Sequence, residues 1–249
     1  MMLWYKAWRE SRSRFLIAAC AVALFSVAAI WSARTGFPPP QTPKLPYSAF
    51  VWGEFYGNGR AAVFSIIALV LGLGGLQRER ASGSAPFTLA LPVTRGQLVA
   101  ARAVVGLLQL IVIALLPALI VPALSPVLAR HGYPWSQTFQ YAALFMSWGV
   151  VWFAIGVVWS VLFTAEFTAA ALSLLTPFAY MVIYAQLSRG GRRFLAANPF
   201  EMMSGGLDHA LGGRMLLTEP LPWPAVLVLA VIASVLLCGA WRVTVRQNF

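Results

Sequence analysis

The sequence predicts an all-α membrane protein that crosses the bilayer six times, and three observations support this fold class. Six stretches are almost uninterruptedly apolar: residues 15–32, 61–76, 98–124, 141–163, 167–187 and 225–241. A helix needs about 20 such residues to cross the ~30 Å hydrocarbon core. Hydrophobic residues make up 60% of the chain and charged residues 10%, whereas a soluble domain has about 25% charged residues. The runs are continuous, which argues against the alternating strands of a membrane barrel.

The six predicted spans and their connections use nearly all of the 249 residues. We therefore expect one transmembrane domain over residues 1–249, with no separate soluble domain. The longest polar connection, residues 188–222, follows the fifth span and is expected on the outer face. The net charge of +11 would suggest nucleic acid in a soluble protein. Here the basic residues flank the spans, where they meet lipid headgroups, so no nucleic-acid partner is expected.

The N-terminal residues 1–14 predict an amphipathic helix that lies along the membrane surface before the chain turns into the first span. Aromatic and basic residues alternate there in the pattern that favours the headgroup region. The residues expected to anchor this connector helix at the interface are Trp4, Tyr5, Trp8, Arg9 and Arg12. The alternative is a basic flank with interfacial aromatics and no separate helix.

Basic residues also predict the orientation of the chain. Four of them precede the first span (Lys6, Arg9, Arg12 and Arg14), and two more follow the last. Short cytoplasmic segments are enriched in such residues, so both termini are expected in the cytoplasm. The cluster of arginines at residues 189–193 would lie outside and argues against this topology.

The cytoplasmic connection between the second and third spans, residues 77–97, is the most distinctive part of the chain. Gly83 and Pro86 interrupt the preceding helix, and Pro92 ends a short apolar stretch. Thr94 is expected to cap the next helix. Between these breaks, one or two helical turns project from the membrane.

This short predicted helix carries Phe87, Leu89 and Leu91. Such side chains are unfavourable in water, so we expect a partner protein to cover them. The following helix begins near Arg95, whose charge lies close to the membrane surface.

The connection resembles the signature of type-2 ABC transporter permeases. Glu79 stands four residues before Gly83, and the string Leu-Pro-Val-Thr-Arg at residues 91–95 matches the family pattern closely. Ser84 stands where the family usually has threonine, and Pro86 lies early in a stretch that is usually continuous helix. The specific part of the resemblance covers about 20 residues.

The resemblance implies a non-catalytic permease subunit of an ABC exporter in the cytoplasmic (inner) membrane of a bacterium or archaeon. A second permease, identical or related, would complete the pathway. A separate P-loop ATPase would bind ATP and Mg, since this chain has no P-loop. The residues implied to couple to that ATPase are Glu79, Gly83, Pro86, Phe87, Leu89, Leu91, Pro92, Thr94 and Arg95. Glu166, at the tight turn between spans four and five, would be a second contact.

Other classes of function find less support in the sequence. An intramembrane enzyme needs a nucleophile with its base, or a metal cluster, at membrane depth, but His131 and His209 both fall in loops. Cys20 and Cys238 lie within spans and are expected to be packing residues. No catalytic residue and no metal ligand is therefore predicted.

Two further alternatives concern transport itself. A secondary carrier is disfavoured because ionisable residues are nearly absent from the predicted spans and no repeat of halves is visible. Polar residues such as Gln109, Ser65 and Thr176 are expected to bridge helices rather than bind cargo. A membrane assembly protein without transport activity stays open. The cargo is not indicated by the sequence.

Overall fold

The computed structural model describes residues 2–34, 47–56, 58–73, 94–163, 166–189, 221 and 223–246. Within these ranges the chain is helical and has no strand. The α-helices are α1 Met2–Arg34, α2 Tyr47–Val51, α3 Asn58–Gly72, α4 Arg95–Leu124, α5 Trp135–Leu162, α6 Glu166–Arg189 and α7 Trp223–Arg246. Two π-helical turns, Trp52–Tyr56 and Ser125–Ala129, precede α3 and follow α4.

Helices of membrane-spanning length and composition dominate the described part of the chain. Five segments qualify: Leu3–Arg34, Gly53–Gly72, Gly96–Ala129, Trp135–Leu162 and Val226–Arg246. The sixth long helix, α6, includes the shorter apolar stretch Thr168–Tyr180. The predicted all-α fold is confirmed for the described residues, and its five to six apolar helices are consistent with a polytopic membrane protein. Of the predicted outer loop 188–222, nearly all lies outside the described residues.

The N-terminal helix α1 differs from the sequence-based expectation. It runs without a break from Met2 to Arg34, so the turn that we expected after residue 14 is wrong. The reason is that no glycine or proline interrupts residues 2–34, and nothing else in this stretch stops helix propagation. At about 1.5 Å per residue, its 33 residues are ~50 Å long. The location of residues 2–14 at the headgroups stays a prediction.

Helix α5 lies at the centre of the bundle and packs against α3, α4, α6 and α7. Its contact with α3 is unusually close, because Gly72 and Gly156 face each other across it. A Cβ atom at Gly156 would lie 2.6 Å from the carbonyl oxygen of Leu69. Small residues allow membrane helices to approach until their backbones touch. This contact fixes how α3 sits against the central helix.

The bundle has two chemically different ends. The start of α1, the end of α3 and the first half of α4 meet at one of them, which we call the ion-paired end (residues 2–14, 70–73 and 94–109). Residues 47–60 and 125–145 meet at the other, which we call the aromatic end. Each end is described below by the contacts that hold it together.

Candidate functional site

The predicted coupling segment begins and ends at the ion-paired end of the bundle. Seven of its nine predicted coupling residues lie outside the described residues: Glu79, Gly83, Pro86, Phe87, Leu89, Leu91 and Pro92. The structure describes the chain on either side, up to Leu73 after α3 and again from Thr94 before α4. The described candidate site therefore consists of the two flanks of residues 74–93, which are the end of α3 and the start of α4, together with the α1 residues that contact them. We call this set of contacts the frame.

Thr94 caps α4, as the sequence predicts. Its backbone is extended, and its hydroxyl oxygen accepts a hydrogen bond from the backbone N–H of Gln97 at 3.3 Å. The Gln97 side chain accepts one in return from the Thr94 N–H at 3.1 Å. This reciprocal capping box satisfies N–H groups that a helix start leaves without partners, and an N-cap side chain contributes about 1 kcal/mol. The point at which the chain re-enters the bundle is thus defined.

The start of α4 is also packed against the end of α7. A Cβ atom at Gly96 would lie 2.6 Å from Nε1 of Trp241, so the indole occupies the space that a side chain would need. Glycine at this position therefore lets the two helices meet. This contact joins the last turns of α7 to the start of α4, where the chain re-enters the bundle.

The other side of the frame, the end of α3, is held by Arg14 from α1. Nη1 of Arg14 donates to the carbonyl oxygen of Val70 at 3.3 Å and to that of Leu73. These carbonyls belong to the last turn of α3, where the helix has no further N–H groups to offer them. A cation is favourable there because the helix dipole leaves partial negative charge at the C-terminus.

A second residue of α1 reaches α4. Oε2 of Glu10 lies 2.7 Å from Nη2 of Arg102, and Oε1 of the same carboxylate lies 3.9 Å from Nζ of Lys6. The Arg102 side chain is 19% exposed and that of Glu10 is 39% exposed. The pair therefore lies at the boundary between the bundle and its surroundings, and it joins α1 to α4 by charge.

A buried amide about two turns farther along α4 adds to the same contact. Nε2 of Gln109 donates to the hydroxyl of Ser11 at 2.7 Å, and that hydroxyl donates to the carbonyl of Ala7 at 2.9 Å. Gln109 is 2% exposed, and its Oε1 has no hydrogen-bond partner among the described residues. The expectation that Gln109 bridges two helices is confirmed, and the bridge joins α1 to α4.

Ser65 and Thr176 bridge helices as well. The indole N–H of Trp148 in α5 donates to the hydroxyl of Ser65 in α3 at 2.9 Å. The indole N–H of Trp159 donates to the hydroxyl of Thr176 at 3.1 Å, which joins α5 to α6. Ser65 and Thr176 thus each link two helices of the bundle.

The predicted anchor residues lie on the outer surface of α1. Trp4, Tyr5 and Trp8 are 47%, 65% and 41% exposed, and Arg9 and Arg12 are exposed too. The bundle-facing side of this part of α1 carries buried Ala7 together with Ser11 and Arg14. Aromatic and basic side chains therefore point away from the protein, as an interfacial anchor requires.

Two other predicted site residues are located by backbone only. Arg95 is the first residue of α4, and Glu166 is the first residue of α6. Helix α5 ends at Leu162, four residues before Glu166. The structure describes no side-chain contact for either residue, so their roles stay predictions.

The sequence did not reveal that Glu10 and Arg14 face the bundle. The sequence analysis treated Glu10 as part of a surface helix and Arg14 as part of the basic flank of the first span. Their spacing of four residues places them on one face of a helix, and that spacing was a usable signal. It gave no information about their partners, which for Arg14 are two backbone carbonyls.

The described part of the site offers hydrogen bonds and charges rather than reactive groups. No cluster of three or more histidine, cysteine or acidic residues that could hold a metal exists within the described ranges. The two described cysteines, Cys20 and Cys238, are exposed on the outside of the bundle and are not disulfide-bonded.

These observations define a polytopic helical membrane protein whose bundle frames a short connection at one end. The sequence matches the family model of ABC-2 family transporter proteins over residues 13–240. The chain belongs to this family, and it is thus a membrane (permease) component of an ABC transporter. Membership implies an ATPase partner. Among curated proteins, no sequence matches this chain.

Proposed function

We propose that this chain is the permease subunit of an ATP-driven exporter and that it couples to a separate soluble P-loop ATPase through residues 77–97. Together with a second permease, identical or related, it forms the translocation pathway. The ATP and Mg are bound by the ATPase, and this subunit itself carries out no chemistry. Both termini and the coupling segment face the cytoplasm, and the anchor residues of α1 contact lipid headgroups.

One observation supports the coupling role most directly: the frame around residues 74–93 is held firmly on both sides. Arg14 binds the last carbonyls of α3, and the Thr94 capping box fixes the start of α4. A segment that transmits force needs such fixed ends, because a loose attachment would absorb the displacement. The apolar residues 87, 89 and 91 supply the surface that an ATPase groove would cover.

The family membership supports the same proposal. An ABC transporter permease must receive the motion of its ATPase at some cytoplasmic surface. Residues 77–97 carry the acidic residue, the glycine and the Leu-Pro-Val-Thr-Arg string that resemble the coupling signature of type-2 permeases. ATP-driven closure of the ATPases then moves the bundle between two discrete arrangements.

The first test is co-purification of a P-loop ATPase with the affinity-tagged chain from its native membrane. Leu89→Asp and Leu91→Asp place a charge on the proposed docking surface. We expect each to lose most of the ATPase, because an unpaired carboxylate in an apolar groove costs several kcal/mol. Membrane insertion should be unaffected, as judged by the amount of chain in the membrane fraction.

A matched control is Val127→Asp, which introduces the same charge at a 73% exposed residue of the aromatic end. This variant should retain the ATPase. Retention by all three variants would contradict the coupling assignment, whereas absence of any ATPase from the parent chain would contradict the proposed function.

The orientation is tested separately by cysteine labelling. In a chain with Cys20→Ala and Cys238→Ala, Ser13→Cys reports the ion-paired end and Gly132→Cys the aromatic end. Both positions are exposed, and a Cβ at Gly132 meets nothing within 4 Å. A membrane-impermeant maleimide should label Gly132→Cys in intact cells and Ser13→Cys after lysis. The reverse pattern would place the coupling segment outside and overturn the proposal.

A further inference from the structure

We propose that Glu10 and Arg14 of α1 are positioning residues for coupling: they bind both flanks of the 74–93 segment to α1, so that movement of the segment is delivered to α1. This inference rests on the proposed function and extends it. It assigns the first helix of the chain a part in receiving the motion of the ATPase, in addition to its role as a membrane span.

The first flank of the segment, the end of α3, is bound by Arg14. Its guanidinium donates to two carbonyls in the last turn of α3, those of Val70 and Leu73. Leu73 is the last described residue before the coupling segment. Hydrogen bonds from a charged donor are about twice as strong as neutral ones. Moving the end of α3 therefore pulls on Arg14 directly.

The second flank, the first half of α4, is bound by Glu10 and Ser11. Glu10 pairs with Arg102 at 2.7 Å, two turns after the start of α4. Ser11 accepts a hydrogen bond from the buried Gln109 amide at 2.7 Å. Residues 10, 11 and 14 span little more than one helical turn of α1. One short stretch of α1 thus contacts both helices that carry the coupling segment.

Because α1 is continuous, the contacts at its start are connected to the other end of the bundle. The helix has no break between Met2 and Arg34. Farther along it, Phe25 lies beneath the guanidinium of Arg60, 3.5 Å from ring centroid to Cζ, and its ring centroid is 6.2 Å from that of Phe55. A stiff element in contact with both ends of a bundle is a physical route for coupling between them.

Energetics alone would not distinguish this role from simple structural support. The Glu10–Arg102 pair is partly exposed, so it contributes little to stability. Its proposed role lies elsewhere, in transmitting a displacement. The test therefore needs a signal that depends on ATP and that a merely structural contact would not change.

That signal is the labelling rate of Gly132→Cys at the aromatic end, measured in the complex with its ATPase. The background carries Cys20→Ala and Cys238→Ala. The rate is compared without nucleotide and with ATP, Mg and vanadate, which hold an ABC ATPase closed. In the parent complex, we expect the two rates to differ.

Arg14→Gln should retain the ATPase but lower this nucleotide-dependent difference about fivefold, at the low end of known coupling between sites. Arg14→Lys, which keeps a cationic donor, should lose less. Glu10→Arg should act like Arg14→Gln, and combining it with Arg102→Glu should restore the difference by reversing the ion pair. Arg242→Gln, which removes an exposed charge near the end of α7, should have no effect.

An unchanged nucleotide response in Arg14→Gln and in Glu10→Arg, with the ATPase bound, would overturn the proposal and leave the proposed function intact. Loss of the response in the charge-swapped pair would overturn the role of the Glu10–Arg102 contact. If Arg14→Gln does not accumulate in membranes, the single and swapped variants at residues 10 and 102 decide the question. A parent chain that binds no ATPase rejects both this inference and the proposed function.

Discussion

The two ends of the bundle are held together by different physics. At the ion-paired end, α1 contacts α3 and α4 through charged and polar side chains such as Arg14, Glu10 and Ser11. At the aromatic end, the ring of Tyr56 stacks on that of Tyr141 at 4.6 Å and meets Phe145 edge-on at 5.5 Å. Charged and polar side chains join helices at single points through directional hydrogen bonds, whereas stacked rings share a broad apolar contact. The first end is therefore held by a few directional contacts and the second by close aromatic packing.

Charge is present at the aromatic end too, but it is used differently. Arg60 pairs with the carboxylate of Glu54 at 3.3 Å and donates from Nε to the Glu54 carbonyl at 2.9 Å. Its guanidinium also lies over Phe25 at 3.5 Å from the ring centroid. Cation–π contacts of this kind contribute about 0.5–2 kcal/mol. Here the cation completes an aromatic cluster, whereas Arg14 binds the end of a neighbouring helix.

The largest effect is expected from removing the central ring of the aromatic end. Tyr56 is 1% exposed, and Tyr56→Ala should lower stability by about 3 kcal/mol through lost packing and the resulting cavity. The measurement is the thermal midpoint of the purified chain in detergent. Phe139→Ala is the control, since Phe139 is 43% exposed and should lower the midpoint far less. Equal losses would mean that buried aromatic packing is not what stabilises this end.

The next effect concerns the close α3–α5 contact beside the ion-paired end. Gly156→Ala should cost about 1–3 kcal/mol, because the added methyl group meets the Leu69 backbone and the helices must separate. Gly239→Ala, whose Cβ meets nothing within 4 Å, should leave the thermal midpoint unchanged or raise it slightly. A neutral Gly156→Ala would show that α3 can shift easily against α5.

A smaller effect should appear as salt dependence. Glu10→Gln removes the ion pair with Arg102 and should cost about 0.2–1 kcal/mol at low ionic strength. This loss should shrink as NaCl is raised towards 1 M, where charges are screened within about 3 Å. The loss in Tyr56→Ala should not depend on salt. A salt-independent Glu10→Gln would contradict the electrostatic description of this end.

The smallest effect should appear at alkaline pH. Desolvation by burial raises the pKa of Tyr47, and its hydrogen bond to Ser125 at 2.7 Å only partly offsets this. The folded state therefore holds the phenol proton more tightly than the unfolded state, whose pKa is about 10. Stability that is present below pH ~10 should decline as the pH rises above it.

Tyr47→Phe should reduce this decline without abolishing it. Burial also raises the pKa of Tyr133, so this second tyrosine contributes to the same decline. Thermal midpoints measured between pH 8 and about 11 test this. Tyr5→Phe, an exposed residue of α1, is the matched control and should leave the slope unchanged. An equal slope in all three proteins would mean that the Tyr47 hydroxyl does not contribute.

The helices of this bundle could be predicted from sequence where local chemistry determines them. The third span was predicted at 98–124, and α4 covers Arg95–Leu124 because Thr94 and Gln97 form a capping box. Helix α5 begins at Trp135, six residues before the predicted span. The apolar run starts later because the first turns of the helix carry polar residues among the aromatic ones. Apolar run length identifies the part of a helix inside the hydrocarbon, whereas the helix itself extends into the interface.

Of the frame around the coupling segment, the Thr94 cap was predictable from the sequence, whereas the pairings between distant residues were not. Glu10 and Arg102 are 92 residues apart, and their pairing depends on how two helices are rotated about their axes. Arg14 binds backbone carbonyls, which carry no sequence identity at all. By contrast, Gln109 was recognisable as a bridging residue, because an amide within an apolar span must find a partner.

We expect the length of α1 to make the transporter sensitive to its lipid. Its ~50 Å exceed a typical ~30 Å hydrocarbon core by roughly four turns. A thicker bilayer would draw more of those turns inward until the exposed Arg9 and Arg12 stopped it. Membrane thickness would thereby set the height at which Glu10 and Arg14 meet their partners. Reconstitution in lipids of increasing acyl-chain length should consequently change turnover even when the ATPase stays saturated with nucleotide.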